Sequence, residues 1–451
     1  MKIFAYLAIP AIALVSCGNP KGDAPANELF PYPIVQETLD NGLTVVTVEY
    51  PSPGIVAFYI IVRAGSREEV EPGKTGFAHF FEHMMFRGTE KYPPEAYNDE
   101  LKNIGAAANA NTSIDRTIYH MTGSASALEK MFELEADRFM NLSYPVHAFK
   151  TEAGAVKGEY TKNYSNPFMR LHEATMAAAF DKHTYRHTTM GFWEDIVDMP
   201  NQYKYSLTFF DRFYRPEYTA ILAVGDVKPT RVKQLAEKYF GKWQRGNYTP
   251  STPVEPSQTE TRYAHVQESG FPPYLELNYK APAFDASTVD NAALHILLTI
   301  FFSERSELYR KLVIEEGVLR NLGFDAHFAR DPYLMNVFAS FKEGKDMQRV
   351  KDEIVQKLEE VKSKPVGKQL LEDAKSHIRN SIIMHMDNPS SIADGHSYFL
   401  WVSGDIRFFD ALMKKYDEVT PDDITAVAKK YLVPEKLTIS TISPNKEGGI
   451  K

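Results

Sequence analysis

Phe213-Tyr214-Arg215-Pro216 leads into the apolar run Tyr218-Thr219-Ala220-Ile221-Leu222-Ala223-Val224, which stops at Gly225-Asp226. An apolar run bounded by Pro and Gly reads as a strand, and the periodic segment from Tyr203 to Phe213 before it reads as a helix. The same order returns near the end of the chain. Lys430-Tyr431-Leu432-Val433-Pro434 is followed by the run Leu437 to Ile442, again after a helical segment, and Pro434 lies 218 residues beyond Pro216. Carrying that shift back to the N-terminal strands lands on Tyr274-Leu275-Glu276-Leu277-Asn278-Tyr279, which also reads as a strand. The shift is near half of the 451 residues, so the chain is read as α+β, two homologous domains each with a mainly antiparallel sheet packed against helices.

Chemistry is concentrated in the first copy. Glu37 to Val48 is strand, Asn41-Gly42 turn, strand, and Val56 to Gly65 is a second, buried strand. A helix entered through Gly73 and Gly76 then carries His79-Phe80-Phe81-Glu82-His83. At 3.6 residues per turn His79 and His83 stand one above the other, able to share one metal ion, with Glu82 beside them. This is the H-x-x-E-H order of an inverted zinc-hydrolase motif. In the second copy the corresponding helix, near Asn291 to Phe302, keeps a lone His295, which reads as a core residue.

Farther on, Tyr97 to Ile104 and Ala125 to Met140 read as helices, and Arg116 to Met121 as a strand. Between them, Ala106 to Thr112 is small and polar. It is read either as a sheet edge that could receive an extended peptide through Ala108, Asn109, Ala110 and Asn111, or equally as an ordinary weak strand. Glu152 and Glu159 share one face of the helix from Ala148 to Tyr164. A catalytic zinc needs three protein ligands and an open position, and these carboxylates are the available candidates for the third ligand. His183 and His187 are four apart, but Thr184-Tyr185 between them reads as loop and offers no base.

The opening residues read as an address. Met1-Lys2 and the apolar run Ile3 to Ser16 are too short for a comfortable membrane span. They end in Leu14-Val15-Ser16-Cys17, which resembles a bacterial lipobox and predicts lipidation at Cys17. Gly18 after it favours the outer membrane by the same analogy, so a lipid-anchored protein on the periplasmic side of the cell envelope is expected. The expected organisation is a signal peptide over 1–17, a tether over 18–33, a metal-bearing domain over 34–245, a Pro/Thr/Ser-rich linker over 246–262 and a metal-free second domain over 263–451. Cys17 is the only cysteine, which excludes disulfides and a thiol nucleophile in the mature chain. A net charge of −8 argues against a nucleic-acid partner.

Taken together, these residues resemble the pitrilysin family of zinc metallopeptidases. The resemblance rests on the inverted motif, on Glu159, on Asn109-Ala110-Asn111-Thr112 with Thr117 and Tyr119, on the Tyr-Arg-Pro stretch before Gly225-Asp226, and on the duplication. It implies that His79, His83 and Glu159 bind one Zn2+ per chain, that Glu82 is the general base, and that Glu152 orients the ligands. It also implies half of a clam-shell. Family members carry an Arg and a Tyr seven residues apart in the second domain, and laying Ser306 to Tyr309 and Glu316 to Val318 on that pattern puts Val313 and Arg320 at those places. Valine supplies neither charge nor hydrogen bond. In two-chain bacterial members a metal-free chain brings the pair, so the resemblance implies a heterodimer that cleaves short unfolded peptides in an enclosed chamber. A catalytically weak, zinc-containing scaffold is the alternative.

Overall fold

The computed structural model describes residues 30–446, together with 448 and 450. Cys17 and its signal segment lie outside the described residues. Phe30, within the stretch read as a tether, is buried with its ring against His396 and Phe409, so that stretch is docked on the second domain from Phe30 onward. Among the described residues no helix is long and apolar enough to cross a membrane.

The first sheet contains β1 (Ile34–Thr38), β2 (Thr44–Glu49), β3 (Ile55–Val62), β4 (Ala107–Thr112), β5 (Thr117–Ser124) and β6 (Thr219–Gly225), in the order β1-β2-β6-β3-β5-β4. The second contains β7 (Arg262–Gln267), β8 (Tyr274–Lys280), β9 (Leu319–Asp325), β10 (Leu334–Phe341) and β11 (Leu437–Ser443), in the order β7-β11-β8-β10-β9. Every pairing is antiparallel except β2 with β6 and β7 with β11. The duplication is thus present in topology. β2 and β7, and likewise β6 and β11, begin and end 218 residues apart. Helices Tyr203–Phe213 and Pro421–Tyr431 repeat at the same interval.

Strand periodicity explains how the halves join. In β3, Val56, Phe58, Ile60 and Val62 point into the core of the first domain, while Ala57, Tyr59 and Ile61 point into the core shared with the second. Helix Pro389–Val402 of the second half covers that outer face, packing on β3 and β6. Helix Pro167–Ala179 of the first half does the same on β7 and β11. Each sheet is therefore closed by a helix from the other half. Hydrogen bonds follow the exchange: Tyr59 donates to Asp394 at 2.9 Å and Thr175 to Ser440 at 2.7 Å.

Buried charge joins the halves as well. The Glu68 carboxylate, fully buried, accepts from Arg67 at 3.0 Å and from Arg330 of the second half at 2.8 Å. Asp331 accepts from Arg67 and, at 3.1 Å, faces His183 Nε2. His183 is therefore tied into this latch, and His187 turns its Nδ1 to the Thr188 carbonyl at 3.0 Å. Glu68→Gln would leave Arg330 without its carboxylate partner and Arg67 with Asp331 alone. It should cost about 3 kcal/mol of unfolding free energy, read from urea denaturation; a cost below about 1 kcal/mol would mean the latch contributes little.

Candidate metal centre

The helix bearing the histidines, α1 (Phe77–Met84), starts at Gly76, whose φ is +88°. A Cβ there would stand 2.5 Å from Ile196 Cδ1, so the entry requires glycine. The buried Glu69 carboxylate accepts from the amides of Gly76 at 2.8 Å and Ala78 at 2.7 Å, satisfying donors that a helix start leaves free. Phe77, Phe80, Phe81 and Met84 turn into the core, and Phe81 stacks on Phe209 with ring centroids 5.5 Å apart. From β5, Tyr119 donates to the Phe81 carbonyl at 3.0 Å and meets the Tyr214 hydroxyl at 2.6 Å. These are the tyrosines of the two stretches the sequence singled out, and both brace α1.

Helix Val146–Tyr164 is registered against α1 through Phe149, whose ring lies 5.0 Å from that of Phe80. The packing brings its two carboxylates to the histidines from one side. Glu159 Oε2 lies 3.6 Å from His79 Nε2 and 3.2 Å from His83 Nε2. The donor atoms of His79, His83 and Glu159 all fall within 4.8 Å of one another, and they form the sole such group among the described residues. Zinc bonds of about 2.0–2.2 Å in a tetrahedral set place ligand atoms roughly 3.3 Å apart, so this donor set fits the ion. His295, the remnant in the second half, instead bonds Tyr416 at 2.6 Å.

Glu152 is buried two turns before Glu159 on the same helix. Its Oε1 lies 2.9 Å from His83 Nδ1, and its Oε2 accepts from Arg87. That bond fixes which nitrogen of His83 carries a proton and leaves Nε2 to face Glu159. Burial pulls the His83 pKa down, but the bonds to Glu152 and Glu159 prevail and push it up to about 9. The bond from His83 draws Glu159 down to about 2. Burial and the neighbouring His83 lower His79, whose Nδ1 is buried without a hydrogen-bond partner; packing rather than a carboxylate places that ring. The site therefore attracts one positive charge at the point where the three donors converge.

Glu82 projects beside the donors, and Thr112, the last residue of β4, donates to its Oε2 at 2.6 Å. β4 ends the sheet, and among the described residues no strand pairs with its outer side. The stretch Ala106 to Thr112 thus lies at a sheet edge. Sequence reasoning missed Arg87 and the role of Thr112. Arg87 had a local signal, standing four residues after His83 where the helix runs on as a 3-10 turn. In the second half, Val313 packs partly buried on the core and Arg320 donates to the Phe341 carbonyl at 3.2 Å.

Residues 44–191 match the family model described as Insulinase (Peptidase family M16), and residues 203–378 match the one described as Peptidase M16 inactive domain. The zinc protease PqqE of Helicobacter pylori is 27% identical over 414 residues, covering 90% of this chain and 92% of its own. A Schizosaccharomyces pombe protein named "Probable mitochondrial-processing peptidase subunit beta" is 23% identical, covering 90% of each chain. Among solved structures, a protease from Helicobacter pylori superposes with a TM-score of 0.84 at 26% identity, over 92% of this chain and 100% of that one. The periplasmic protease PqqL of Escherichia coli shares the fold at a TM-score of 0.75 and 16% identity, with 93% of this chain covering 48% of that longer one.

Proposed function

Since the chain belongs to the M16, or pitrilysin, family of zinc peptidases, we propose that it is a zinc-dependent endopeptidase for short unfolded peptides, completed by a second, metal-free homologous chain. The observation that carries this reading is the convergence of His79, His83 and Glu159 within 4.8 Å beside the unligated carboxylate Glu82. A site that held metal only for structure would have no use for such a base. Zinc, when bound, supplies Lewis acidity toward water and the peptide carbonyl. Glu82 takes the proton of the attacking water and returns it to the leaving amine nitrogen. Glu152 holds His83 through Nδ1, and Arg87 holds Glu152.

The peptide is proposed to dock as an added strand on β4. Residues alternate along an antiparallel ladder between those bonded to the partner strand and those turned away. Ser113 N donates to Arg116 O at 2.8 Å, which assigns Asn111 and Asn109 to the β5 side. The amides and carbonyls of Ala108, Ala110 and Thr112 then face outward and are available to a peptide main chain. Small side chains there keep the approach open.

Val313 and the engaged Arg320 leave this half without the Arg and Tyr that other members place near the reacting carbonyl, which supports a partner. So does the likeness of this chain to one half of a longer protease. The same Val313 favours the second reading, a metal-holding scaffold with little turnover. The test is hydrolysis of a mixed peptide library by the zinc-loaded chain, alone and with a homologous chain bearing the Arg/Tyr pair. Mixing should raise turnover at least tenfold. Equal activity alone would remove the partner, and zinc binding without turnover in either sample would favour the scaffold.

A further inference from the structure

We propose that Thr112 is a positioning residue that couples peptide docking to the general base. It touches both. Its side-chain hydroxyl donates to Glu82 Oε2 at 2.6 Å, across from β4 to α1. Its main chain belongs to the outward-facing set of β4 with Ala108 and Ala110, by the alternation fixed at Ser113 and Arg116. A strand added to that edge therefore bonds the backbone of the residue whose hydroxyl holds the base.

The surroundings make the coupling stiff. Arg116 Nη1 donates to the Asn111 carbonyl at 2.8 Å and to its side chain, pinning the residue before Thr112. Thr117, paired with Thr112, donates to the Ala64 carbonyl at 3.0 Å. Glu82 rides on α1, itself braced by Tyr119 and Glu69. The Glu82 carboxylate can still rotate about its own side-chain torsions, and the Thr112 hydroxyl is what selects one setting. A peptide bonded to the Thr112 main chain is thereby held in fixed register with the base, which favours extended peptides long enough to reach Thr112.

This role rests on the peptidase reading, and its test separates the two. Thr112→Val keeps shape and removes the donor, whereas Thr112→Ser keeps the donor. Both are compared with the parent in whichever preparation turns over, the isolated chain or the pair, and their zinc affinities are measured by competition with a chromogenic chelator. Thr112→Val should lower kcat roughly 10- to 100-fold, with KM and zinc affinity within about twofold of the parent. Thr112→Ser should recover kcat to within roughly threefold, since the donor is back in place. An unchanged kcat in Thr112→Val, or a loss confined to KM or zinc affinity, would overturn the positioning role and leave the peptidase intact. A parent that binds zinc yet cleaves nothing in either preparation would overturn both.

Discussion

Glu82→Gln should retain its zinc and lose at least 10³-fold in kcat. The side chain lies outside the converging donors, so exchanging one oxygen for an amide leaves the metal site as it was. The amide keeps the shape and can still accept from Thr112 through its carbonyl oxygen. What it cannot do is take a proton. General acid–base assistance is worth about 10²–10⁴-fold, and here one carboxylate is asked both to accept from water and to deliver to the amine. A loss near the upper end, roughly 4–5 kcal/mol of barrier, is therefore expected. The measurement is kcat together with zinc content on the same sample. Turnover within tenfold of the parent would show that another group does the proton transfer, and loss of zinc would assign Glu82 to the metal instead.

The parts of this site legible in the sequence are those whose geometry is local. A spacing of four on a helix fixes the relation of His79 to His83, and a spacing of seven that of Glu152 to Glu159, without knowledge of the rest of the fold. The duplication was legible for a similar reason: a helix, a proline and a strand recur at one fixed interval, ending once in β6 and again in β11. What remained closed depends on how separate elements meet. Nothing near Thr112 says that α1 lies within reach of its hydroxyl, and nothing near Glu68 says that Arg330 of the other half will face it. The exchange of helices Pro167–Ala179 and Pro389–Val402 between the sheets is likewise invisible to periodicity, which tells that a helix has an apolar face but not which sheet it covers. β4 shows the limit at its sharpest. Its run of small residues suits an edge or an interior strand equally, and only the order of the finished sheet places it outermost.

Whether zinc here serves chemistry or architecture is decided by removing one ligand. Glu159→Ala should weaken zinc binding on the order of 10³-fold, as expected when a binding free energy of about 10–16 kcal/mol is shared among a few ligands. Glu152→Ala should weaken it only about 10- to 100-fold, because Glu152 acts through His83 Nδ1 and not on the ion. Lowering the pH should weaken binding in the parent too, since a proton on His83 competes with the metal. The thermal midpoint is the informative companion. Helices α1 and Val146–Tyr164 are held together by Phe80 on Phe149, and α1 by Phe81 on Phe209 and by Tyr119 on its backbone, all independent of the metal. A site built on such a scaffold exists before the ion arrives, so Glu159→Ala should shift the midpoint of the metal-free chain by no more than about 2–4 °C, the shift that ~1 kcal/mol makes in domains of this size. A structural zinc predicts the reverse: chelating the parent would itself collapse the first domain. If the chelated chain no longer unfolds cooperatively, the ion is a staple of the first domain. If the chelated chain keeps a cooperative transition, its midpoint lowered only by the lost binding free energy, while hydrolysis is abolished, the ion is there for the reaction.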